Sequence, residues 1–126
     1  MHWSSFWAGV VAAPLIGILD SQRAQQFTER LLERIVEMRA SVALVDITGV
    51  PTLDTRTAQY LLEAISAVRL LGAQLILTGV RPVIAQTLVH LGIDLSSVAT
   101  RPSLEAGLRL GLDMLELQVV HRDGKR

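Results

Sequence analysis

The carboxylates Asp46 and Asp54 are the nearest thing in this sequence to a reactive pair. Asp46 comes late in the apolar run Ser41–Ile47, and Asp54 stands at the head of a helical pattern. Both therefore fall at one rim of a sheet, where two carboxylates can hold a magnesium ion or share acid–base work. A plainer role is open to each: Asp54 can cap the helix, and Asp46 can bond the amides of the following loop. Little else supports catalysis. His2, His90 and His121 lack metal-ligand spacing, the glycines stand singly, and no G-x-S-x-G elbow or cysteine is present. No catalytic residue, metal ligand or cofactor is assigned.

Thr55 offers a different chemistry. With Asp54 as N-cap it takes the first helical position, where the first-turn amides lack partners. A phosphate there is stabilised by those N–H groups and by the positive end of the helix dipole. It would add about −1.5 to −2 of charge without unfolding the helix, and Arg56 is placed to help hold it. Thr55 can equally be an ordinary first-turn residue, since Ser and Thr are common at helix starts.

The elements that position these groups follow from periodicity. Val10–Gly17 reads as a strand in which Pro14 demands an edge position or a bulge. Asp20 or Ser21 opens a helix to about Arg39 with Ala24, Phe27, Leu31, Ile35 and Met38 along one stripe. Ser41–Ile47 is apolar almost throughout, as a parallel strand covered by helices is. Thr48–Leu53 is a loop, and a helix from Asp54 buries Ala58, Leu61, Leu62, Ile65, Val68 and Leu71 before Gly72. Leu75–Gly79 is a third strand, Pro82 opens a short helix closed by Gly92, and Ile93–Thr100 is a short extended piece. Pro102 starts a last helix with Leu104, Leu108, Leu112 and Leu115. The order predicts one α/β domain over residues 1–126, a mixed sheet of about four strands with about four helices packed mainly against one face. Residues 1–8 and 117–126 are expected to be flexible ends.

Composition narrows the partners. Twelve basic and twelve acidic residues cancel, so no global field draws nucleic acid. Lys125 is the only lysine, which favours fixed arginine contacts. Phe6–Leu19 is too short for a bilayer and lacks a signal peptide's basic flank, so no membrane insertion is expected. A mean hydropathy of +0.40 points to apolar surface covered by partners, as homo-oligomer or hetero-assembly.

The stretch Asp46-Ile47-Thr48-Gly49-Val50-Pro51-Thr52-Leu53-Asp54-Thr55, followed by Leu77-Thr78-Gly79-Val80-Arg81-Pro82-Val83-Ile84-Ala85-Gln86-Thr87, resembles the STAS domain of anti-sigma factor antagonists. Within that family the two segments look like the C-terminal domain of RsbR-type stressosome scaffold proteins, and the likeness runs from about Gly9 to Leu112. The resemblance implies a non-enzymatic cytoplasmic phosphoprotein of stress-response signal transduction that works by partner switching. It implies an RsbT-like Ser/Thr switch kinase, a PP2C-like phosphatase, and RsbS- or RsbR-like STAS partners in large assemblies. Thr55 is then the phosphorylated residue, with Thr87 or Thr78 as a second. Asp46, Thr48, Gly49, Asp54, Thr55, Arg56 and Arg81 are the implied partner-binding positions.

RsbR-type proteins usually bear an N-terminal sensor domain, which these 126 residues do not resemble. Either an isolated C-terminal domain or a stand-alone paralogue closer to RsbS is expected, and signal sensing is not. The alternatives are a stand-alone anti-sigma factor antagonist, a STAS module of a transport complex that is not phosphorylated, and an enzyme using Asp46 and Asp54.

Overall fold

In the computed structural model, backbone is described for residues 4–7, 9–92 and 98–123, and side chains for 9–92 and 98–116. Five strands form one sheet in the order β1-β2-β3-β4-β5: β1 Ser4–Trp7, β2 Val10–Ile16, β3 Val42–Gly49, β4 Gln74–Thr78 and β5 Ala99–Arg101. Strands β2 to β5 are parallel neighbours, and β1 folds back antiparallel on β2. The parallel part has the four strands expected. Strand β1 is an addition, formed where a flexible end was expected. Its pairing matches Ser4 with Ala12 and Trp7 with Val10.

Helices α1 Ser21–Met38, α2 Thr55–Leu70, α3 Pro82–His90 and α4 Leu104–Asp123 complete the fold. The last helix continues through residues 117–123, again where a flexible end was expected. Alternation along the strands creates two cores. Val11, Ala13, Leu15, Ala43, Val45, Ile47, Leu75 and Leu77 face α1, α2 and α3, which bury Phe27, Leu31, Leu61, Ile65, Ile84 and Leu88 against them. Val10, Ala12, Val42, Leu44 and Ile76 face the other way, under Leu108, Met114 and Leu115 of α4. Three of the four helices thus share one face, and β3 is apolar on both sides because both sides are covered.

The caps fix where each helix starts. Asp20 accepts from the Arg23 amide at 2.8 Å, and α1 ends at Arg39, held in the left-handed region at φ 51°. Ser103 accepts from the Ala106 amide at 3.2 Å, so α4 begins two residues after Pro102. Of the two settings expected for Pro14 the bulge is present: the register with β3 shifts between Pro14 and Ile16. Ile93 to Ser97, expected to be extended, lie outside the described residues. Among the described residues no helix is long and apolar enough to cross a membrane.

Candidate partner-binding rim and phosphorylation site

The C-terminal ends of β2, β3 and β4 open onto one rim, and the head of α2 rises from it. Asp54 sits ahead of α2 in extended backbone (φ −77°, ψ 165°), and its Oδ1 accepts from the Thr57 amide at 2.7 Å. That donated N–H, with the Arg56 amide and guanidinium beside it, holds the Asp54 carboxyl below the usual carboxylate range. Thr55 is then the first helical residue, and Asp54, Thr55 and Arg56 are all exposed. Leu53 and Ala58, buried on either side, fix the segment to the core. The hydroxyl-bearing residue is presented while its neighbours are anchored.

The exit of β3 is held on every side. Asp46 Oδ1 accepts from the Thr48 amide at 2.8 Å, and Asp46 Oδ2 accepts from Thr78 Oγ1 at 3.0 Å. Arg81 Nε donates to the Thr48 carbonyl at 3.0 Å, and the Gly17 amide donates to the Gly49 carbonyl at 2.9 Å. Thr48, Gly49 and Arg81 are exposed along this edge. Arg81 precedes α3 without capping it, since a guanidinium can only donate, and its Nε reaches across to β3.

The predicted residues therefore separate into two groups. Thr48, Gly49, Asp54, Thr55, Arg56 and Arg81 share the exposed rim. Asp46 does not: it is 9% exposed and its two oxygens bond inward, so it shapes the rim without offering a surface. Thr78 is fully buried with its hydroxyl on Asp46, which leaves nothing for a kinase to reach. Thr87 is half-buried on α3, and its hydroxyl donates back to the Val83 carbonyl at 3.1 Å. Asp46 and Asp54 bond to different donors, Asp46 to the Thr48 amide and the Thr78 hydroxyl and Asp54 to the Thr57 amide.

Sequence reasoning missed two features of the rim. Ile16 and Ile18 are 65% and 76% exposed, on a turn braced by Arg23, whose guanidinium donates to the Ile18 carbonyl at 2.9 Å and the Ile16 carbonyl at 3.4 Å. Gly17 was legible as the end of β2, but the outward aim of its neighbours depends on the register shift after Pro14. Gly79 was read as a strand end. Its left-handed backbone (φ 72°) lets it lie directly against Thr48.

The sequence profile of the STAS domain matches residues 8–107. The RsbT co-antagonist protein RsbRA of Bacillus subtilis (strain 168) is 46% identical over 111 residues, which are 88% of this chain and 40% of that protein. The chain thus spans less than half the length of this curated relative. A solved RsbS variant of Moorella thermoacetica superposes with a TM-score of 0.76 at 30% identity, covering 86% of this chain and 92% of that one. A chain from a structure titled for the molecular architecture of the stressosome, a signal integration and transduction hub, also gives 0.76, at 25% identity over 90% of this chain and 98% of its own. With its RsbR-type relatives and this sheet-and-helix order, the chain belongs to the STAS domain family.

Proposed function

We propose that this domain is a non-enzymatic, phosphorylatable scaffold of a stressosome-type partner-switching system in the cytoplasm, with Thr55 as its phosphate acceptor. The observation that carries the reading is Thr55 itself, exposed at the first position of α2 behind an ionised cap. A phosphate at that place meets the positive end of the helix dipole beside the Arg56 guanidinium, so the fold tolerates it. What changes is the charge of the rim formed by Thr48, Gly49, Arg56 and Arg81. A protein partner bound to that rim is released or gained as its own charge dictates.

The partners that fit are an RsbT-like Ser/Thr switch kinase, a PP2C-like phosphatase that reverses the mark, and RsbS- or RsbR-like STAS proteins in a shared assembly. The relatives' names support the first and the last: RsbRA is called an RsbT co-antagonist, and a stressosome chain shares the fold. Thr87 is the second acceptor, because it is on a helix surface whereas Thr78 is sealed.

Phosphate transfer from labelled ATP by an RsbT-type kinase tests the assignment. Incorporation in Thr55→Ala falls to the share carried by Thr87, and to background when Thr87→Ala is added, while circular dichroism and the thermal transition remain those of the unsubstituted chain. Undiminished incorporation in that variant refutes Thr55 as the acceptor.

A further inference from the structure

Asp46 is the only buried carboxylate among the described residues, and no arginine or lysine pairs with it there. Burying a charge without a counter-ion is costly unless hydrogen bonds satisfy it. Here they come from two different strands. One oxygen takes the Thr48 amide, two residues further along β3, and the other takes the Thr78 hydroxyl at the end of β4. Alternation puts Asp46 on the α4 side after Val42 and Leu44, and there Gly107 of α4 leaves just enough room for the Thr78 methyl. A single group therefore ties the exits of β3 and β4 together from beneath.

From above, the same two exits are joined by Arg81, whose Nε holds the Thr48 carbonyl, and by the close fit of Gly79 against Thr48. Thr48 is thus held at its amide, its carbonyl and its side chain. It is nevertheless exposed, as Arg81 is. An apolar residue at position 46 would fill the space more cheaply, but it would leave the Thr48 amide and the Thr78 hydroxyl unpaired.

We infer that Asp46 is a positioning residue: its carboxylate locks the exit of β3 to the exit of β4, so that Thr48, Gly49 and Arg81 meet a protein partner in one fixed arrangement. This rests on the reading of the rim as the surface met by the kinase that phosphorylates Thr55. Preorganisation of this kind lowers the cost of binding without adding a contact, so it shows in partner affinity more than in the chemical step.

Thr78→Val tests the lock in the 126-residue chain, since it keeps the shape at position 78, touches no rim atom and removes one of the two bonds to Asp46. Thr78→Ser keeps the hydroxyl and serves as the rescue. In Thr78→Val, amide hydrogen exchange at Thr48 accelerates about tenfold while Leu44 and Ile76 stay protected, and the serine variant restores protection. KM for phosphate transfer to Thr55 rises roughly threefold to tenfold with kcat unchanged, and serine restores it. Exchange at Thr48 that is unaltered, or that rises together with the core, overturns the inference, as does an unaltered KM. If the unsubstituted chain accepts no phosphate, the Thr55 reading fails by itself, and the exchange comparison still decides whether Asp46 locks the rim.

Discussion

Gly79 and Thr48 stand so close that no side chain fits at position 79. A Cβ added there would overlap Thr48 Oγ1 and come within 2.9 Å of the Thr48 amide nitrogen, and φ at Gly79 is 72°. The turn out of β4 is therefore shaped to the turn out of β3. Thr48 is also the residue whose carbonyl Arg81 holds.

Gly79→Ala should accordingly cost about 2–4 kcal/mol, combining left-handed strain with overlap against backbone that cannot move aside. Urea denaturation measures it as a fall in midpoint at unchanged slope. A cost near zero would mean that the two exits can separate freely.

Helix α4 supplies a case in which local propensity and packing oppose each other. Alanine in place of a mid-helix glycine ordinarily stabilises by about 1 kcal/mol. At Gly107 the new methyl would collide with the Thr78 methyl and lie 3.5 Å from Leu44 Cδ2. Gly107→Ala should therefore destabilise, by roughly 1–3 kcal/mol. Gly72, after α2, has nothing within 4 Å of an added Cβ, so Gly72→Ala carries only the strain of its left-handed backbone. Comparing the two denaturation midpoints separates packing from backbone strain.

Arg39 is the reverse situation, a residue with a Cβ where glycine is favoured. It ends α1 at φ 51°, and the Ala40 amide closes back on the Ile35 carbonyl at 3.0 Å. Arg39 is exposed and forms no salt bridge among the described residues. Arg39→Gly should raise stability by about 0.5–1 kcal/mol, read as a higher thermal midpoint.

These cases show what was legible in the sequence and why. The apolar run through β3, the stripe Ala24, Phe27, Leu31 and Ile35, and the cap at Asp54 are local patterns that formed where the pattern put them, whereas Met38 and Leu71, expected inside at the ends of α1 and α2, are exposed. The burial of Asp46 and Thr78 was not local. Both lie on the α4 side, and only the return of α4 over β3 and β4 covers them, 25 or more residues later in the chain. Thr78 and Thr87 looked equivalent as hydroxyls in the sequence, and the sheet separates them by sealing one. Strand β1 was missed because its pairing depends on a reversal at Gly9 (φ 95°) rather than on any periodicity within Ser4–Trp7.

The cap also makes stability depend on pH. The Thr57 amide foremost holds the Asp54 carboxyl below its ordinary value of 3.8. A carboxyl depressed in the folded state binds protons more readily once unfolded. Its contribution is therefore complete above the ordinary value and disappears as pH falls through the lower folded value. Asp54→Asn keeps a capping oxygen and loses the titration. The stability difference between the two chains should thus be constant from pH 7 down to about 5, then shrink toward acid. A difference that stays level down to pH 2 would show that the cap charge adds nothing.

Thr55 then separates switching from folding. Its side chain is exposed and its neighbours carry the anchoring, so Thr55→Ala should change stability by no more than about 0.5 kcal/mol. Thr55→Glu puts a carboxylate in the first turn of α2, which the helix dipole favours, so that variant should be as stable as the original chain or slightly more so. Binding should respond differently. A partner that recognises the unmodified rim should tolerate alanine and lose affinity for glutamate by tenfold or more, an effect that weakens as salt is added because the rim charges are exposed. Titration calorimetry against an RsbS-type protein and an RsbT-type kinase, at two salt concentrations, reads this directly. Equal affinity for the alanine and glutamate variants in both titrations would show that charge at the head of α2 switches neither partner.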